Sequence, residues 1–422
     1  SLLIFLSLLL FPNLRVSPIE GPIAWILLIP LSYFILDHRN RLSVPSSPFL
    51  RFICVSCLLL FFFYSLTFNI IFFKYIILMV FCSLLYSKSL HAFINFALRR
   101  FKLCVYIYNS TLLLLLSVHF LYPNFFYIIS TSFMSTYYGP ILRFSGLNGE
   151  PGPMAFAIVL CYTMVLILFS LLGFTFSIVK SLTFQLSIFL TLFSFLLTFS
   201  LGAFIYFLVS ILYALIITVC IYFKPSISLS MFSKRVVSFF RRFGLLTIVL
   251  LSLIFFTLFA FGDSLAFFFN KVSSTFLAIL DNNISQIPSR GNIFANFMNT
   301  NYIFDFSVLF QPDSLTRTNV SALLSSLDQG SIVLTIIVFV IPSLQFITHT
   351  LSVFSNPSER LRITPSFIFL TQFCFIFCIL NYISLPEIHL YKFYIYLLFY
   401  SHITSLGVFH SYSQLLSTPK PV

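Results

Sequence analysis

Arg143-Phe-Ser-Gly-Leu-Asn-Gly-Glu150-Pro-Gly-Pro153 runs without a break into the apolar segment 154–173, and this junction decides the fold. An apolar run of about 20 residues is long enough to cross a hydrocarbon core as a helix. The residues before it carry an arginine, a glutamate and three glycines, charges that a lipid-facing segment has no reason to keep. Elsewhere the chain repeats the apolar half of this pattern many times and the charged half rarely.

Of 422 residues, 59% are hydrophobic and 8% charged, and the mean hydropathy is +1.05. A soluble domain carries about a quarter charged residues. The chain therefore reads as an all-α polytopic integral membrane protein, a single membrane domain over residues 1–422. Apolar runs lie near 2–11, 22–36, 50–66, 68–86, 103–121, 154–173, 183–199, 203–223, 245–261, 331–348, 366–384 and 391–409. They predict about twelve transmembrane helices, several shorter than the ~20 residues a span normally needs. The run 2–11 lacks a basic flank, so it is not read as a cleavable signal, and sequence is expected to precede Ser1. The 60 Phe are read as lipid-facing bulk without functional weight.

A net charge of +13 would suit a nucleic-acid partner, but its distribution argues for topology instead. If alternate loops are cytoplasmic, one side collects 16 of the 23 Lys and Arg, among them Arg99, Arg100, Lys102, Arg241 and Arg242. Eight of the ten acidic residues fall on the other side. The positive-inside rule then places both termini in the cytoplasm, with no role for nucleic acid. Lys74 and Lys392 sit at outer membrane edges in this reading.

Two outer segments are long enough to build a site. The first outer loop is 122–153; the large outer loop, late in the chain, is 262–330 and holds most of the outer polar residues. Within it, Leu265 to Leu280 reads as an amphipathic helix on the membrane surface. In the first loop, Arg143 and Glu150 allow two readings. They form an ion pair that stitches the loop, or they belong to an anion or sugar site. Guanidinium forks suit phosphate oxygens, and Gly146, Gly149 and Gly152 let backbone approach a ligand closely. Glu150 is placed to act as a general base or to accept from a sugar hydroxyl. Arg290, in Ser-Arg-Gly-Asn at an expected helix start, is either a second anion contact or a solvated loop cation. Ser200-Leu-Gly202-Ala203 marks a tight outer turn whose small residues read first as helix packing. Asn319 and Asp328 flank the end of the large loop and read alone as cap or turn residues.

Cys54-Val-Ser-Cys57 has metal-ligand spacing but no second pair or nearby histidine, so it reads as two small helix residues. The sequence contains no Walker A loop, no metal-ligand cluster, no Gly-x-Ser-x-Gly and no dinucleotide fingerprint. No cofactor or metal is expected.

The motifs occur in a familiar order. Arg-Phe-Ser-Gly-Leu-Asn-Gly-Glu-Pro-Gly at 143–152 comes first, then the Ser-x-Gly-Ala turn at 200–203 and Ser-Arg-Gly-Asn at 289–292. Thr318-Asn319 followed by Asp328-x-Gly330 then enters a helix. This arrangement, over about 143–341, resembles the bacterial O-antigen polymerase family and the related O-antigen ligases. The resemblance implies a glycosyltransferase of the inner membrane that joins polyprenyl-diphosphate-linked repeat units at the periplasmic face. It further implies that Arg143 and Arg290 grip the diphosphate, where leaving-group charge develops and cations are needed. Glu150, with Asp328 behind it, would serve the acceptor hydroxyl. A chain-length regulator protein is an implied partner.

The departures are specific. Many members carry an arginine after the serine of the turn motif, where this chain has Leu201; Arg317 or Lys271 would then complete the clamp. Ligases typically have a histidine just before the asparagine of the last motif, where Arg317-Thr318 stand here, which favours polymerase over ligase. The rival from another class is a transporter or flippase of lipid-linked glycans. That reading expects charged or broken spans near the midplane, whereas these spans are almost bare of charge.

Overall fold

The computed structural model describes residues 48–69, 97–122, 141–148, 150–171, 181–222, 306–310, 322–355, 365–384 and 390–405, together with residues 71–73, 75, 76, 79, 94, 125, 137, 138, 270, 273, 274 and 277. The apolar runs 2–11, 22–36 and 245–261 lie outside the described residues.

The described chain is predominantly helical: α1 (Pro48–Thr67), α2 (Phe101–Leu121), α3 (Pro151–Leu171), α4 (Leu182–Leu197), α5 (Leu201–Tyr222), α6 (Ala322–Thr335), α7 (Ile341–Ser355), α8 (Pro365–Ser384) and α9 (Leu390–Ser405). Before α3, Tyr137–Tyr138 pairs antiparallel with Ile141–Leu142, a two-rung ladder inside the first loop. Among the described residues, five helices are long and apolar enough to cross a membrane: Phe101–Leu121, Pro151–Leu171, Gly202–Cys220, Gly330–Leu351 and Pro365–Ile383. They are compatible with a multi-pass membrane protein, since a helix satisfies its own backbone bonds and can sit in hydrocarbon.

Helix α3 forms the centre. It is apolar on every face, the pattern of a helix surrounded by protein, and its residues from Met154 to Val165 are all buried. It packs against α4, α5 and α8, and α5 lies along α8. Outward, α5 exposes Ile205, Leu208, Leu212 and Ile216, spaced along one stripe suited to lipid. Aromatic rings fill the interior. Phe346 stacks on Phe375 at 3.9 Å, Phe101 on Phe169 at 4.9 Å, and Phe207 meets Phe373 edge-on at 5.4 Å. The Phe excess therefore builds core as well as lipid-facing surface, which corrects the purely lipid-facing expectation. Ring pairs contribute about 0.5–1.5 kcal/mol beyond burial, a useful source of specificity where lipid tails are as apolar as the side chains.

Helices α4, α6 and α9 depart from a plain span, α9 having 16 residues. Helix α4 has 16 residues, about 24 Å at 1.5 Å per residue, short of the ~30 Å hydrocarbon core. Helix α6 is interrupted at Gly330 (φ −149°, ψ 18°) and Ser331 (φ 58°, ψ −171°), and a π-turn at Ile336–Val340 follows before α7. Asp328-Gln-Gly330 therefore does not run smoothly into the next span as expected.

Candidate functional site

The first loop docks onto the end of the short helix. Phe144 N–H donates to the Leu197 carbonyl at 2.9 Å, and Arg143 Nε donates to the Thr198 carbonyl at 3.1 Å. The last carbonyls of a helix have no partner within it, and these two donors satisfy them where α4 stops early. Thr198 and Phe199 (φ 43°) turn the chain, and the Ser200 carbonyl accepts the Phe204 N–H at 3.1 Å to start α5. Ser200 itself is buried.

Arg143 is half-buried. Loss of water pulls its guanidinium down to about 10, and the Glu150 carboxylate pulls it back up. It therefore stays a cation at neutral pH, with Glu150 close enough to stabilise that charge. Both readings of the pair keep their basis: the carboxylate is near, and the guanidinium also serves as a backbone cap. Glu150 is half-buried and ends the loop, its carbonyl accepting Met154 N–H at 3.1 Å. Pro151 occupies the first helical position, where its missing N–H costs nothing.

Between these charges lies a 3-10 turn, Gly146–Asn148. Gly146 has φ +51°, and a Cβ there would stand 2.9 Å from the Met154 Sδ and Cε atoms. Asn148 is fully buried, its amide donating to Met154 Sδ at 3.1 Å and its Oδ1 accepting from Lys392 Nζ at 3.0 Å. The same ammonium donates to the Pro153 carbonyl at 3.2 Å and stands 5.6 Å from the centre of the Phe156 ring. His119, buried at the end of α2, meets the Phe144 ring edge-on at 5.2 Å and bonds the Leu142 backbone.

From Lys392 the contacts continue along the same end of the bundle. Phe393 meets Phe339 at 5.6 Å, and Phe339 stacks flat on Tyr382 at 4.1 Å. The Tyr382 hydroxyl reaches Ser326 Oγ at 3.2 Å, which pairs with Thr335 Oγ1 at 2.8 Å. Tyr394 donates to the Val338 carbonyl at 2.7 Å, satisfying a group in the π-turn. Helix α9 thus touches the first loop through Lys392 and, through the next residue, Phe393, the aromatic pair that leads to Ser326 in the helix that carries Asp328. Asp328 lies in α6, two residues beyond Ser326. Gly149, Arg290, Arg317, Asn319 and Lys271 lie outside the described residues. Of the Leu265 to Leu280 segment, residues 270, 273, 274 and 277 are helical and exposed.

Three participants were not singled out from sequence: Asn148, His119 and Lys392. Asn148 stood inside the quoted motif. Lys392 had a signal, since an ionisable residue within an apolar span marks a site by default, but its position near a span end made an edge lysine the simpler reading.

No family model, curated protein or solved structure matches this chain.

Proposed function

We propose that this protein polymerises polyprenyl-diphosphate-linked oligosaccharide repeat units into O-antigen or a related surface polysaccharide, at the periplasmic face of the bacterial inner membrane. The observation that carries the proposal is the motif 143–153: a half-buried arginine held cationic beside a glutamate, on a loop pinned at the end of an apolar helical bundle. The chemistry asks for a cation where a diphosphate departs and a carboxylate or oriented hydrogen bond at the attacking hydroxyl. Arg143, with Arg290 and Arg317 from the large loop, takes the first role; Glu150, with Asp328, takes the second. Gly146, Gly149, Ser200 and Asn319 shape the backbone around them. The full topology belongs to the same reading: twelve spans, both termini cytoplasmic, and a large extracytoplasmic loop at 262–330. No metal or organic cofactor takes part. The partners are the lipid-linked glycans, the surrounding lipid and a chain-length regulator protein.

Reconstitution tests it. Purified protein in proteoliposomes, supplied with lipid-linked repeat units, is expected to produce a ladder of longer lipid-linked glycans. Arg143→Ala and Arg290→Ala are each expected to abolish extension at unchanged protein abundance. Lysine at either position should rescue poorly, because it cannot fork. Full activity in both alanine variants would sink the diphosphate clamp.

A further inference from the structure

Among the described residues, Lys392 is a buried lysine that the proposed chemistry leaves without a task. Its side chain has no exposed surface, and it donates to Asn148 Oδ1 and to the Pro153 carbonyl. Those acceptors bracket the stretch 148–153, which contains Gly149 and Glu150. A single lysine Nζ thus spans the segment in which the loop becomes helix α3. It also stands at the N-terminal end of α3, where the helix dipole disfavours a positive charge. Burying a charge among apolar helices is costly, and an apolar side chain of similar volume is often neutral or stabilising there. Packing alone gives no reason for a lysine. Bonding does: the Asn148 oxygen and the Pro153 carbonyl would otherwise face an interior of Met154 and Phe156 with one donor fewer. Asn148 also holds Met154 Sδ, and Met154 lies against Gly146, so the tie extends to the start of the turn.

We propose that Lys392 is a positioning residue that fixes the 146–153 segment, so that α9 sets the geometry of a loop 244 residues earlier in the chain. Its effect on turnover rests on the reading of this loop as the substrate-handling segment; the tie itself does not. Small displacements matter in such a role, since a shift of about 1 Å in a positioned group can cost on the order of 100-fold in rate.

Two variants test it. Lys392→Met keeps the length of the stem and removes the donors; Asn148→Leu removes the same tie from the other side. Amide hydrogen exchange of peptides covering 143–153, in nanodiscs, is expected to quicken at least tenfold in each. Chain extension at saturating lipid-linked repeat is expected to fall tenfold or more, with the KM for that repeat within threefold of the parent. The double variant should be no worse than the worse single one. If either variant fails to fold, the other carries the test. Unchanged exchange overturns the tie, whatever turnover does. Quickened exchange with turnover within twofold of the parent overturns the positioning role. If the parent protein extends no glycan, the polymerase reading fails, and exchange alone decides the tie.

Discussion

Gly146 shows how much one residue of the loop is asked to do. Its φ of +51° is one that L side chains rarely adopt, and a Cβ would press on Met154, the residue that also receives the Asn148 amide. An L-residue in the left-handed region costs about 1–2 kcal/mol, and a β-branched one more. Gly146→Val is therefore expected to lower stability by about 2 kcal/mol, read as a clear fall in Tm for the protein in detergent; an unchanged Tm would contradict the turn geometry. Sequence made Gly146 legible as a special backbone position but for a different reason, the approach of a ligand. The positive φ and the methionine behind it belong to three dimensions. Arg143 was legible too, because a charge in so apolar a chain stands out. Its bond to the Thr198 carbonyl was not, since nothing near residue 143 reports where α4 stops.

At the scale of the element, the break in α6 is the most informative departure. Ser331 occupies backbone space that is essentially reserved for glycine, while Gly330 sits beside it and cannot carry a Cβ, which would stand 2.5 Å from Leu334 Cβ. Ser331 Oγ is buried and finds no partner. Strain of this kind costs about 1–3 kcal/mol per residue, and the added flexibility of a glycine returns roughly 0.5–1 kcal/mol of that to the unfolded chain. Ser331→Gly is expected to stabilise by about 1 kcal/mol in thermal melts, and Gly330→Ala to destabilise. A lower Tm for Ser331→Gly would contradict the strained geometry. The sequence marks this place with Asp328-Gln-Gly330, a start signal for a span, yet a start and a break within a helix carry the same residues. The π-turn at Ile336–Val340 lies in an unbroken apolar run and has no signature there at all.

For the whole molecule, membrane character was legible because it depends on composition and run length, which survive without knowledge of contacts. The spans near 103–121, 154–173, 203–223, 331–348 and 366–384 each fall on a helix long and apolar enough to cross. What was not legible is which loops meet. Asn148 and Lys392 pair across most of the chain, and Ser326 finds Tyr382 56 residues away. Such pairings arise from how helices pack, and apolar helices advertise little about their neighbours. Through such pairings Asn148 on the first loop is tied to α9, and Ser326, two residues before Asp328, is tied to α8. The most direct test of the proposed activity is a gel of surface polysaccharide from cells in which this gene is deleted. The account predicts that the ladder collapses to lipid A-core carrying one repeat unit, and that it returns when the intact gene is restored. An unchanged ladder would contradict it.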